Sequence, residues 1–120
     1  MANYRNLRVW QLAMELALAS RPFIKRLPPE ERHALADQWR RAAYSVPLNI
    51  VEGASRKGLP EFRRHLDIAR SSLHEVAVIL ELAIGNGYFQ ADELQALNEL
   101  QAECARCLWG LLQSIRRRQS

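Results

Sequence analysis

The chain has 120 residues, 17 Lys and Arg against 13 Asp and Glu, a formal net charge of +4 and a pI near 9.6. Hydrophobic residues at 48% and charged residues at 25% exclude a disordered polyelectrolyte, and the length suits one domain with a core of its own. The longest apolar run, Val76 to Ile84, is interrupted by Glu81, so no membrane span is expected. The opening MANYRNLRVWQ lacks the apolar heart of a secretion signal, and two cysteines cannot build a disulfide framework. A reducing, cytoplasmic setting is therefore expected.

In chain order, the apolar spacing predicts four helices and no strand. The first spans about residues 7–26, with Asn6 as N-cap. Its stripe is Trp10, Ala13, Met14, Ala17 and Ile24, with Leu16 and Phe23 beside it. Pro28 and Pro29 end it, and Pro29 suits the start of the next helix. The second helix spans about residues 30–54 and contains Pro47. Pro47 cannot donate to the Ala43 carbonyl, yet Leu35, Trp39, Ala42, Ala43, Val46 and Ile50 keep one face through it, so a kink is expected.

Gly53 and Gly58 are expected to bracket a turn carrying Arg56 and Lys57. The third helix spans about residues 60–86. Phe62, Leu66, Ala69, Leu73, Val76, Leu80 and Ala83 repeat at alternating steps of four and three, the seam of a helical bundle. Gly85 and Gly87 predict its end. The fourth helix spans about residues 92–118, with Asp92 as N-cap and Arg116, Arg117 and Arg118 in its last turn. Its stripe is Leu97, Leu100, Cys104, Leu108, Leu111 and Ile115. Short connections between long helices predict an up-down-up-down antiparallel four-helix bundle in a single domain over residues 1–120.

Three blocks carry a resemblance: NLRVWQLAMELA (Asn6 to Ala17), RRAAYSVPLNIVEGASRK (Arg40 to Lys57) and EFRRHLDIARSSLHEV (Glu61 to Val76), with GNGYF (Gly85 to Phe89) beyond them. With Pro47, Asn49, Glu52 and Gly53 in register, the chain resembles the four-helix-bundle proteins encoded in intervening sequences of bacterial 23S rRNA genes, and the related accessory proteins of diversity-generating retroelements. The resemblance implies an up-down bundle assembled as a ring-like homo-oligomer such as a pentamer. It implies no enzymatic activity.

Three groups of residues are candidates for function. Tyr44, Leu48 and Val51 on the second helix, with Ile68, Ile79 and Leu82 on the third, lie off the core stripes and point to a subunit interface. The competing reading is that they only widen the apolar face. Gln38, Arg41, Ser45, Asn49 and Glu52 form a polar stripe on the second helix, and Arg41, Ser45, Asn49 and Glu52 with Glu75 of the third helix are a candidate polar network. It reads either as a phosphate or carboxylate pocket around Arg41 or, preferably, as a structural network that satisfies the carbonyl freed by Pro47. Arg56, Lys57, Arg63, Arg64, Arg116, Arg117 and Arg118 are expected at one end of the bundle. There they serve nucleic-acid binding through phosphates or form an ordinary solvated end. The resemblance to accessory proteins that associate with RNA and a reverse transcriptase favours RNA or an RNA–protein complex.

No RNP motif, GxxG loop or zinc knuckle is present, so sequence-specific readout is not indicated. Cys104-Ala105-Arg106-Cys107 is a mid-helix CxxC with no second ligand pair, and is read as packing rather than zinc or redox chemistry. No catalytic motif stands out, and neither a metal nor another cofactor is expected. The reading is a non-catalytic oligomeric RNA-binding adaptor. Its alternative is a protein–protein interaction module without nucleic-acid affinity.

Overall fold

A computed structural model describes residues 3–119. Among them are four α-helices and no strand: α1 (Arg8–Lys25), α2 (Leu35–Ala54), α3 (Leu59–Gly85) and α4 (Gln95–Gln119). Short 3-10 turns at Tyr4–Asn6 and Pro29–Glu31 precede α1 and α2. Packing of α1 on α2, α2 on α3, α3 on α4 and α4 on α1 closes a four-helix bundle. Contacts between opposite ends make neighbours antiparallel. Arg26 at the end of α1 pairs with Glu93 just before α4, and Arg63 early in α3 donates to Gln119 at the end of α4 (3.4 Å).

The seam of α3 lies in the core as its spacing predicts. Phe62, Leu66, Ala69, Leu73, Val76, Leu80 and Ala83 are all buried. In α1 the buried face is rotated from the expected one. Val9, Leu12, Ala13, Leu16, Ala17, Ser20 and Ile24 are inside, while Trp10 and Met14 are half-buried at its rim. Leu112 replaces Leu111 on the buried face of α4. Large side chains at the edge of an apolar arc are hard to place from spacing alone, because their neighbours decide how far the arc turns.

Pro47 is buried, and α2 runs through it as one helix from Leu35 to Ala54. Pro22 also lies inside a helix, α1, but on its exposed side. The Asn49 amide donates to the Ser45 carbonyl (2.9 Å), so it does not satisfy the Ala43 carbonyl that Pro47 leaves without a donor.

Both expected N-caps are corrected. Leu7 precedes α1 without a side-chain cap, and Asn3 rather than Asn6 accepts from a backbone amide, that of Arg5. The second helix begins at Leu35 rather than near residue 30. Glu31 accepts from the Leu35 amide (3.1 Å) and from the Tyr88 hydroxyl (2.5 Å). That bond first, then burial, pushes the Tyr88 phenol up to about 12. Asp92 lies in the turn before α4, where Glu93 accepts from the Gln90 amide and pairs with Arg26. Those two donors hold the Glu93 carboxyl below its ordinary value.

α3 ends as its glycines predict. Gly87 has φ +79°, and the Tyr88 and Gly87 amides donate back to the Ala83 and Ile84 carbonyls. Gly58, at φ +86°, opens α3. Gly53 is not a turn residue. It is buried inside α2, packed directly against Phe62 and His65 of α3.

Candidate nucleic-acid interface

The antiparallel order brings the last turn of α2, the first turns of α3 and the last turn of α4 to one end. Arg56, Lys57, Arg63, Arg64, Arg116, Arg117 and Arg118 therefore share that end, tied across it by the Arg63–Gln119 hydrogen bond. Three carboxylates share it too. Arg56 pairs with Glu52, Arg64 with Glu61 (3.3 Å), and Arg63 approaches Asp67 at 4.0 Å. Seven cations against three anions leave an excess of positive charge. The Arg64 hydrogen bond and charge hold the Glu61 carboxyl below the usual carboxylate range, so Glu61 stays anionic and offsets Arg64. The side chains of these pairs are accessible to solvent, where an ion pair contributes little, so each can exchange its carboxylate for a phosphate at little cost.

The expected polar stripe splits in two. Ser45 and Asn49 belong to a network between α2 and α3. Asn49 donates to Ser45 Oγ (3.0 Å), Ser72 Oγ donates to Ser45 Oγ (2.8 Å), and His65 Nδ1 meets Asn49 Oδ1 (3.3 Å). His65 Nε2 lies 3.1 Å from an Arg64 guanidinium nitrogen, which can only donate. The ring is thus placed to donate from Nδ1 and accept at Nε2. Arg41, Glu52 and Glu75 lie outside this network. Arg41 reaches into solvent and pairs with Asp37 (3.1 Å), Glu52 pairs with Arg56, and Glu75 is exposed. A phosphate pocket around Arg41 is therefore not formed. His65 and Ser72 are the members that the sequence reading did not place there. Their only sequence signal is a polar residue one step off an otherwise apolar seam.

Of the expected interface residues, Leu48 is 66% exposed and Leu82 48%, Ile68 is exposed, and Tyr44 and Val51 are half-buried. Ile79 is in the core and drops out of that surface. Val78 is exposed on α3 and was not anticipated. A cleft of about 450 Å³ runs between the start of α2 and the far end of α3, lined by Leu35, Val78, Ile79 and Leu82 with Glu31, Gln38, Glu75 and Asn86.

Cys104 is buried with its thiol 3.8 Å from the Val9 carbonyl, and Cys107 is half-buried. Burial pushes the Cys104 thiol up to about 12 and raises Cys107 as well. Both thiols therefore resist forming the reactive thiolate. Iodoacetamide at neutral pH should alkylate Cys104 on the order of 100-fold more slowly in the folded protein than in urea, read by mass spectrometry. Equal rates would contradict the buried placement. Among the described residues no cluster of three or more His, Cys, Asp or Glu is arranged to hold a metal ion. No helix among them is long and apolar enough to cross a membrane.

The fold defines the class first: an all-α, antiparallel four-helix bundle. Within that class the chain belongs to the 23S rRNA-intervening sequence protein family, whose model matches residues 5–110. A solved structure of a protein of unknown function from the S23 ribosomal protein family of Bacteroides thetaiotaomicron has the same fold, with a TM-score of 0.81 at 24% identity. The match covers 88% of this chain and 95% of that one. No curated protein matches the chain. The family is described by its place in 23S rRNA intervening sequences and not by a catalytic activity.

Proposed function

We propose that this protein is a non-catalytic, cytoplasmic, self-associating bundle that binds RNA, or an RNA–protein complex, through its basic end. The observation that carries the reading is the convergence of seven cations from three helix ends, Arg56 to Arg118, on one end of the bundle, where three carboxylates pair with them among the described residues. Such a surface binds phosphates by releasing counterions, so affinity falls steeply as salt rises. No groove-reading element accompanies it, which suits backbone recognition rather than base-specific readout. The test is fluorescence anisotropy of labelled structured RNA and duplex DNA against nuclease-treated protein at two salt concentrations. Micromolar or tighter binding that weakens with salt is expected. Absence of binding at low salt would overturn the reading.

Exposed Leu48, Ile68, Val78 and Leu82 support self-association, as a ring such as the family resemblance implies, and they also support the second reading, a protein–protein module without RNA affinity. The register set by the Asn49–His65 and Ser45–Ser72 contacts puts Leu48 and Ile68 at one level of the outer α2–α3 face. Leu48→Glu with Ile68→Glu should give a folded monomer, seen by light scattering with an unchanged helical circular-dichroism spectrum. A wild-type protein that is already monomeric would remove this face from the argument. No RNA affinity at low salt, with an intact oligomer, would favour the second reading.

A further inference from the structure

Beyond the basic end, α4 carries an exposed tryptophan beside arginines of α3 and α4. Trp109, on α4, is 38% exposed, although large aromatic rings usually lie inside. The Arg70 guanidinium of α3 lies 4.5 Å from the centre of its indole, and the Arg116 guanidinium lies 5.6 Å from it. Arg63, one α3 face-repeat before Arg70, extends the line of cations toward the basic end, where it meets Gln119. Asp67 is the acidic residue between them on that face, and it lies 4.0 Å from Arg63. This patch thus combines a flat aromatic surface with cations spaced along two helices.

We propose that Trp109 is a stacking platform for an unpaired base of a single-stranded nucleic acid, with Arg70 and Arg116 holding the flanking phosphates. This rests on the nucleic-acid reading above and adds a site to it. The chemistry follows from the parts. An indole face attracts a guanidinium through its π electrons and a nucleobase through stacking, so a base can take the place of a guanidinium over the ring. The displaced guanidinium stays within reach of the phosphate of the same nucleotide, where a charge-assisted bond replaces the cation–π contact. Such a platform accepts any base, which suits a protein with no element for reading base edges. Here the ring is flanked by two cations, which complement a polyanion.

The experiment compares a labelled single-stranded RNA of about 12 nucleotides, a length within one module's usual site size, with an abasic phosphodiester chain of equal length. Wild-type protein should bind the RNA about ten-fold more tightly than the abasic chain. Trp109→Ala should lose that difference while keeping wild-type affinity and salt dependence for the abasic chain, and Trp109→Phe should retain most of it. If wild type binds RNA and abasic chain equally, or Trp109→Ala keeps the difference, the stacking platform is wrong while the basic end stands. If wild type binds neither, both readings fall. If Trp109→Ala changes the oligomer mass in sedimentation, Trp109 belongs to a subunit contact and the platform is overturned.

Discussion

Replacing Arg116, Arg117 and Arg118 together with alanine should flatten the salt dependence of RNA binding while leaving the bundle folded. Each phosphate contact to a single strand contributes about 0.7 to the slope of log affinity against log salt, so three contacts account for about 2. Between about 50 and 200 mM salt, the wild-type affinity should therefore fall roughly 16-fold more than that of the variant. The arginines are exposed and close the last turn of α4, beyond the core residue Ile115. They complement the negative end of the helix dipole, so their loss costs stability on the order of 1 kcal/mol or less in total. Titrations at several salt concentrations, with thermal melts as a control, separate binding from folding. An unchanged slope would take the end of α4 out of the binding surface. The remaining cations, Arg56, Lys57, Arg63 and Arg64, would then have to carry it. The family match ends at residue 110, so these three arginines lie outside the matched span.

Gly53→Ala should be among the most damaging small changes in the chain. A Cβ there would lie 2.9 Å from His65 Cβ, 3.0 Å from Phe62 Cδ1 and 3.2 Å from the Phe62 carbonyl oxygen. The nearest of these atoms is fixed to the α3 backbone, and the carbonyl is part of it, so the clash is relieved mainly by moving helices apart. That movement strains the His65–Asn49 and Ser72–Ser45 contacts next to it. Alanine gains roughly 0.5–1 kcal/mol over glycine in a helix, and overpacking a close interface costs about 1–3 kcal/mol. Because the obstacles are near-backbone atoms, the cost should win. A net loss of about 2 kcal/mol would lower Tm by roughly 8 °C in a chain of this size. Gly110→Ala is the control. Nothing lies within 4 Å of its would-be Cβ, and Gly110 is inside α4, so the change should stabilise by up to about 1 kcal/mol. Calorimetry of the two variants reads both signs. A Gly53→Ala protein as stable as wild type would mean that α2 and α3 are not held this closely.

The glycine pair illustrates how far spacing can be read. Gly53 and Gly58 look alike in the sequence, five positions apart around basic residues. Gly58 does serve the turn, with φ +86°, because a residue there needs a left-handed backbone. Gly53 serves packing instead, and only the partner helix reveals that. The polar stripe behaves similarly. Periodicity put Arg41, Ser45, Asn49, Glu52 and Glu75 on neighbouring faces, but a face does not say who is within hydrogen-bonding distance. Ser45 and Asn49 sit over α3 and find Ser72 and His65, while Arg41 and Glu52 find partners four residues away in the chain, Asp37 on α2 and Arg56 just beyond its end.

By itself the sequence determined the helical class, the α3 seam, the stop at Gly87 and the family. Each depends on local periodicity or on a backbone conformation that one residue type favours. The gathering of the basic residues also followed from it, since antiparallel order with short connections fixes which helix ends meet. Only the tertiary structure decided the rest: the rotation of α1 that buries Val9 and Leu12, the inward turn of Ile79, the role of Glu31 at the start of α2, and the approach of Arg70 to Trp109. Those depend on how far each helix is turned about its axis and which side chain stands opposite. A single helix's spacing fixes its apolar arc to within a residue or so, and the helices packed against it select the final angle.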